Sequence, residues 1–409
     1  MKRVVVFGAG AAGTMAAIFA ATSGADTTLL ERTRDGGRKI LISGGGRCNV
    51  LPLEVNESRF VTDSSPNLLR KMVRSWPLPE QVAFFEQDLG IRLEAEVESS
   101  KWFPASQRAR DVRDGLLAHA MRQGVRTVMN THVIGFAPTS SGWRVECDGR
   151  PPIECDAVIV ATGGLSVPNT GSDGFGLRAL AALGHTLNTT YAALTPITAD
   201  APAFSALAGV SLPVTLSATS GERRATASGG FLFTHHGYSG PSVLDVSHVV
   251  VRARGERTSP AHVLVQWTSL SEAAWEVELK PHGARTVTGA LRAQMPDRLA
   301  SVLLARADVD VSRPLSELRR EERRRLIDVL VRGELPWTGD EGYKKAEVMG
   351  GGIALGEIDP RTMQSRRHPG LFLCGELLDA FGPIGGYNFL WAWATGRAAG
   401  EGAARDASR

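Results

Sequence analysis

No two of the four cysteines, Cys48, Cys147, Cys155 and Cys374, stand as CxxC, and none joins a histidine at zinc-ligand spacing. That excludes a disulfide framework and a metal module, and 409 residues make two or three domains that fold without either. A reducing cytoplasm is the expected setting. Charge of one sign is scarce too: 46 Lys and Arg stand against 43 Asp and Glu, and a net +3 is too mild to demand a nucleic-acid partner. Long apolar runs are missing as well. Met1-Lys2-Arg3 and the stretch to Ala21 imitate a signal peptide, but Gly8, Gly10 and Gly13 interrupt it, and no segment approaches the ~18 apolar residues of a membrane span. No membrane insertion is expected. Glycine is the residue in excess, 45 of them with neither a collagen period nor a low-complexity run, which implies many tight backbone turns.

The glycines start early. Val4-Val5-Val6-Phe7 is a β-branched run of buried-strand type, and Gly8-Ala9-Gly10-Ala11-Ala12-Gly13 then opens an Ala-rich helical stretch over 14–23. In such a strand, turn and helix, Gly8 makes the turn, Gly10 lets a pyrophosphate approach the backbone, and Gly13 packs the helix on the strand. The helix start, Ala12 included, offers N–H groups and partial positive charge to the phosphates. A second strand over 26–30 ends in Glu31, followed by Arg32. A carboxylate there accepts both ribose hydroxyls of an adenosine and repels a 2′-phosphate, which leaves FAD and NAD.

Further glycine runs follow. Arg38-Lys39-Ile40-Leu41-Ile42-Ser43-Gly44-Gly45-Gly46-Arg47-Cys48-Asn49 holds three in a row, costly in chain entropy unless backbone must touch something flat or anionic. Between them and the next strand lie helical patterns over 80–90 and 111–124 and strands over 127–136 and 143–146. A strand over 153–160 then ends in Ala161-Thr162-Gly163. From about Tyr191 the composition shifts to Pro, Thr, Ser and Val in short runs, with strands over 212–218, 230–234 and 262–268 and helical stretches over 288–306 and 316–332. The basic run 319–325 is interleaved with glutamates, as on a solvated helix face. Glycine chemistry returns in Met349-Gly350-Gly351-Gly352, in the strand that leads to Gly375-Glu376, and in Ile384-Gly385-Gly386-Tyr387-Asn388, which opens an apolar helix. One cofactor domain built from 1–190 and 346–409, with an inserted domain over 191–345, is the division expected. No second GxGxxG unit is found.

SGGGRCN, together with the C-terminal glycine run, resembles the bacterial flavoproteins that include the bile-acid enone reductases and aminoacetone oxidase, over nearly the whole chain. They are a branch of the two-dinucleotide-binding-domain flavoproteins. The resemblance implies an α/β fold: a Rossmann-like, glutathione-reductase-like FAD-binding domain with an inserted β-rich substrate domain plus helices. It implies FAD, with Arg38, Lys39, Ser43, Gly44, Gly45 and Asn49 along the flavin and Val133 passing the adenine. Ala161, Thr162 and Gly163 meet the cofactor a second time, and Gly375 and Glu376 hold the ribityl chain. Gly385, Gly386, Tyr387 and Asn388 lie at the ring, where a helix start stabilises negative charge on reduced flavin. For the proton donor there are two places. One is Cys48 in the flavin loop; the other is His235 or Tyr238 in 231–241, an element similar to the family's FTHxGxSGP.

The activity implied is that of an FAD-dependent oxidoreductase reducing a conjugated C=C by hydride transfer from flavin N5, with NAD(P)H visiting as a transient donor. Two substrates fit, an enone-like small molecule and a uridine of ribosomal RNA. RNA requires a positive entrance, for which Arg223, Arg224 and the 319–325 run are the residues at hand. The alternatives are a flavin amine oxidase that makes hydrogen peroxide and a non-enzymatic flavin redox sensor. Oligomeric state stays open.

Overall fold

Val4, Val5 and Val6 point to alternate faces of their strand and are all buried, so that strand has to lie in the middle of a sheet covered on both sides. In the computed structural model it is the third of five parallel strands, in the order Leu371–Leu373, Ala157–Val160, Arg3–Phe7, Asp26–Leu30 and Arg126–Val128. The structure describes residues 1–256, 259–283 and 285–405, so the end of the segment expected over 346–409 lies outside the described residues from 406 onward. Its contacts divide the chain into two units, Met1–Thr190 with Val348–Arg409, and Tyr191–Glu347.

In the first unit the chain moves from the central strand to one side of the sheet through Asp26–Leu30 and Arg126–Val128. It returns to the other side with Ala157–Val160 and Leu371–Leu373. The order therefore reverses between Arg3–Phe7 and Ala157–Val160, and the crevice at the carboxyl ends of those two strands is where open α/β sheets bind ligands. The helix Tyr387–Ala404 packs on Ala11–Thr22 at backbone distance, because Gly396 and Gly400 face it: a Cβ there would lie 2.5 Å from Ala12 O and 2.3 Å from Ala16 O. A small antiparallel sheet of Leu51–Pro52, Lys101–Pro104 and Leu93–Glu96 flanks the site.

The second unit is a seven-stranded antiparallel sheet in the order Gly333–Glu334, His262–Gln266, Ser211–Ser220, Arg223–Thr234, Gly237–Ser239, Ile197–Thr198 and Gly339–Asp340. Along Ser211–Ser220 buried and more exposed residues alternate, the mark of a sheet with one covered face. Its core joins Phe231, Phe233, Trp267 and Trp275 to the helices Pro241–Glu256, Asp297–Arg306 and Arg320–Arg332.

Several elements differ from the sequence expectation. The stretch 127–136 is two strands in two sheets, Arg126–Val128 and Val133–Pro138, separated by a turn with Asn130 at φ 50°. The helical stretch 288–306 is two helices, Val287–Arg292 and Asp297–Arg306, because Pro296 cannot continue the first. The pattern over 80–90 is a short α-helix, Leu78–Ala83, that passes into a π turn over Phe84–Asp88.

Candidate functional site

The crevice begins at Gly8, whose φ of 96° suits glycine and whose Cβ would meet Ala161 O at 2.7 Å. Gly13 is tighter still, since a Cβ there would lie 1.9 Å from Gly8 O, so the helix can seat on the strand only without a side chain. Gly10 is different. Nothing lies within 4 Å of its missing Cβ, and as N-cap of Ala11–Thr22 it has no side chain to occupy the free N–H groups of the first turn. The cradle therefore has space and unpaired donors at the position where a pyrophosphate is expected.

Glu31 is buried at 8% exposure and held by the chain itself. Its Oε2 accepts from the Ala9 N–H at 2.7 Å, and Oε1 accepts from the Thr33 N–H at 2.8 Å and hydroxyl at 2.6 Å. Of a carboxylate's roughly four acceptor positions, one is left for a ribose, where the motif led us to expect two. Arg32 pairs with Asp173 at 2.6 Å and Arg38 with Asp35 at 2.8 Å. Val133 is a buried residue at the start of its strand.

Gly44, Gly45 and Gly46 have φ of 55°, 68° and 88°, three left-handed residues in succession that L side chains would strain. A Cβ on Gly44 would lie 2.9 Å from Asn49 N, whereas Gly45 faces open space. Ser43 turns its hydroxyl back to Ile40 O at 2.7 Å. Beyond the loop Arg47 sits 4.0 Å over the Phe103 ring and pairs with Glu96 at 2.9 Å.

On the far side of the crevice, Glu376 Oε1 accepts from the Met349 N–H at 2.9 Å and from the Ser166 hydroxyl, and Oε2 pairs with Lys39. The Thr162 hydroxyl, in the turn after Ala157–Val160, is buried with no partner among the described residues. Gly163, at φ 71°, lies next to Glu376 Oε2 and the Ser172 hydroxyl, 3.6 and 3.0 Å from where its Cβ would stand. Gly375 abuts Ala12, with 2.7 Å between its ideal Cβ and Ala12 Cβ.

The four C-terminal motif residues divide by use. Gly385 lies against the Lys101 side chain and Gly386 against the Leu51–Pro52 backbone. Tyr387 is buried, donates its hydroxyl to Glu54 O at 3.1 Å and meets Phe60 edge-on at 5.6 Å. Asn388 accepts from Gly382 N at 2.9 Å and donates to Gly382 O at 2.9 Å. The side chains of Tyr387 and Asn388 thus close loops.

The proton-donor candidates separate by access. Cys48 is fully buried, in a left-handed turn at φ 63°, and burial pushes its thiol up to about 12, a small countering effect coming from Ser43. Tyr238 is 2% exposed in the aromatic core of the second unit, its hydroxyl has no partner there, and burial raises its pKa. Both lack the access that proton delivery to a substrate requires. His235 is exposed, in the tight turn between Arg223–Thr234 and Gly237–Ser239.

The arginines considered for RNA are largely engaged. Arg223 holds Glu256 through both nitrogens, at 2.7 and 3.0 Å, while Arg323, Arg324 and Arg325 pair with Glu276, Glu321 and Asp308. Among the described residues there is no cluster of three metal-ligating side chains, and no helix is long and apolar enough to cross a membrane.

Sequence reasoning missed Ser166 and the buried Asp379. The Asp379 carboxylate gathers the Ser64 hydroxyl and the Asn188 amide at 2.7 Å each and the Asp63 N–H at 3.1 Å. Neither has a local signal, because their partners lie 127 to 316 positions away. Gly10, Gly45, the uncapped helix start and the Lys39–Glu376 pair together match a dinucleotide carrying a flat ring, and FAD fits this donor set.

The family model described as HI0933-like protein Rossmann domain matches residues 2–402. The ribosomal RNA dihydrouridine synthase of Escherichia coli (strain K12) is 30% identical over 402 residues, 96% of this chain and 95% of that protein. The 3-dehydro-bile acid delta(4,6)-reductase of Clostridium scindens is 31% identical over 412 residues, 99% of both chains. Among solved structures, 3-ketosteroid-delta4-(5alpha)-dehydrogenase from Rhodococcus jostii RHA1 is similar with a TM-score of 0.49 and 16% identity, over 99% of this chain and 97% of that one.

Proposed function

The chain belongs to the HI0933-like Rossmann-domain family of FAD-dependent oxidoreductases, and from that premise we propose that it reduces a carbon–carbon double bond conjugated to a carbonyl. One observation carries the reading. Two relatives that match nearly the whole chain are named for different substrates, yet dihydrouridine formation and bile-acid Δ4,6 reduction both saturate such a bond. Bound FAD supplies the hydride for that chemistry.

The chain's own residues do the rest. Residues 1–190 and 346–409 hold the cofactor: Gly10 and the N–H groups after it receive the pyrophosphate, Glu31 takes a ribose hydroxyl, and Gly44 to Gly46 lay bare backbone along the ring. Residues 191–345 receive the substrate. There His235, exposed in its turn, gives a proton to the carbon α to the carbonyl as the β carbon is reduced. Any NAD(P)H that serves as electron donor visits transiently, since the sequence has no second dinucleotide motif. Four buried free thiols suit a reducing compartment, and we assign the protein to the cytoplasm.

A ring-held enone of small-molecule size is the substrate we favour, because carboxylates already neutralise most of the arginines that would face phosphates. The dihydrouridine synthase relatives favour the second reading, uridine in RNA, and exposed ion pairs worth only ~1 kcal/mol yield readily to a phosphate. The test is to reduce the protein anaerobically and follow the return of oxidised-flavin absorption on mixing with a cyclic enone, a ribosomal RNA fragment or air. Faster return with enone than with air is expected. Return that is fastest in air, with amines supporting turnover to peroxide, would replace this reading by the oxidase. His235→Asn should slow the enone step by about 10²-fold and leave flavin reduction unchanged.

A further inference from the structure

Lys39, Ser166 and Glu376 come from three distant segments of the first unit and close a ring of hydrogen bonds. Lys39 donates to Ser166 Oγ at 2.6 Å and to Glu376 Oε2, and the Ser166 hydroxyl donates to Glu376 Oε1. The inventory of the ring is informative. A lysine ammonium has three N–H donors, and two are used. Glu376 Oε1 is filled by Ser166 and by the Met349 N–H at 2.9 Å, while Oε2 has accepted only from Lys39. What remains is one donor on Lys39 and one acceptor on Glu376, side by side. That pair suits a hydroxyl, which donates and accepts at once, and suits a phosphate or a carbonyl poorly.

The position of the ring narrows the choice. Glu376 follows Gly375, which abuts Ala12 in the first turn of the glycine helix, so the ring adjoins the pyrophosphate cradle. Its open acceptor lies beside Gly163, which contributes no side chain of its own there. The hydroxyls of FAD are those of the ribose, expected at Glu31, and those of the ribityl chain that leaves the pyrophosphate on the other side. Lys39 and Glu376 keep 27% and 17% of their side chains exposed, whereas Ser166 is fully buried and cannot touch a ligand. Ser166 is followed by Val167 at φ 47°, a β-branched residue in a region it rarely enters, and such strain persists only where the surroundings impose it.

We infer that Ser166 is a positioning residue: by closing the ring it holds Lys39 and Glu376 so that one N–H and one carboxylate lone pair are left to take a ribityl hydroxyl of FAD. The inference rests on the FAD reading above. Without the serine hydroxyl, Oε1 loses a donor and the lysine a partner, and the direct ion pair is free to use up the groups the ribityl chain needs.

The test is Ser166→Ala in the full-length protein freed of FAD, titrated with FAD and separately with ADP, which has the pyrophosphate but no ribityl chain. FAD affinity is expected to fall about tenfold, the worth of one hydrogen bond to a charged group, with ADP affinity unchanged. Equal losses for FAD and ADP would mean a general structural role, and an unchanged FAD affinity would mean none; either overturns the inference. If Ser166→Ala does not fold, Ser166→Cys, nearly isosteric and a weak donor, should show the same split. Failure of the wild-type protein to bind FAD would instead remove the reading on which the inference stands.

Discussion

Gly10 and Gly13 are three residues apart in one motif, and the structure gives them different consequences when a methyl group is added. At Gly10 the backbone, φ −81° and ψ −169°, is open to any residue, and an ideal Cβ has no neighbour within 4 Å. Gly10→Ala should gain about 0.4–1 kcal/mol through the unfolded chain and lose about as much because alanine is a poor N-cap for Ala11–Thr22, so the Tm of the FAD-free protein should stay within about 2 °C of the wild type. The same methyl stands in the space reserved for the pyrophosphate, and overpacking of about 1–3 kcal/mol weakens FAD binding by roughly fivefold to 150-fold. At Gly13 the added Cβ lies 1.9 Å from Gly8 O and 3.1 Å from Ala161 Cβ, so backbone has to move. A cost of about 3 kcal/mol against about 1 kcal/mol of helix propensity gained leaves a net loss near 2 kcal/mol, visible without any cofactor. Thermal melts of FAD-free protein beside FAD titrations separate the two. A Gly10→Ala protein that melts as low as Gly13→Ala should, or that binds FAD as tightly as the wild type, would refute the assignment of that open space.

Three further outcomes are expected. Gly400→Ala, whose Cβ would lie 2.3 Å from Ala16 O, should lower the Tm of the FAD-free protein, because a backbone clash outweighs the propensity gained; a neutral result would show that the two helices can separate at little cost. Burial depresses the pKa of His185, which sits between Glu357 at 2.9 Å and Ser365 at 3.1 Å; burial raises that of Glu357, but hydrogen bonds from Arg367, Thr186 and His185 outweigh it and hold it at about 2. Both groups bind protons more readily when unfolded, so Tm should be level above pH ~6.5, fall below it through His185 and through His119, whose pKa burial also depresses, and fall again below ~4.5 with Glu357 contributing; His185→Gln should shrink the first fall and leave the second. Cys48→Ala should cost about 1 kcal/mol of stability and leave the enone half-reaction within twofold, whereas loss of that step would restore the thiol as the proton donor.

The central strand, the glycine turn, its helix and Glu31 were legible because all their determinants lie within the first 31 residues. The ring around Glu376 was not, since Ser166 is 210 positions away and no spacing rule connects the two. The helix Pro241–Glu256 is a different case, for its signal was present and outweighed. Val243, Val246, Val249, Val250 and Ala253 recur with helical period and are all buried, yet the sequence alone assigns the segment no element, because its many β-branched residues weaken the helical signal, which packing against Ser211–Ser220 and Arg223–Thr234 makes up for.

Tyr387 and Asn388 mark a limit of another kind. Motif resemblance places them at the flavin, and they do stand at the start of the helix that would face it, yet the tyrosine hydroxyl reaches Glu54 O and the asparagine amide closes on Gly382. A motif records which residues a turn needs and is silent on whether they serve through side chain or backbone. Here Gly386, wedged against Leu51–Pro52, can begin the helix only if the loop before it is held, and Asn388 holds that loop through Gly382. The Asn388 amide therefore acts on the loop, and a substitution at Asn388 should act through the shape of that turn.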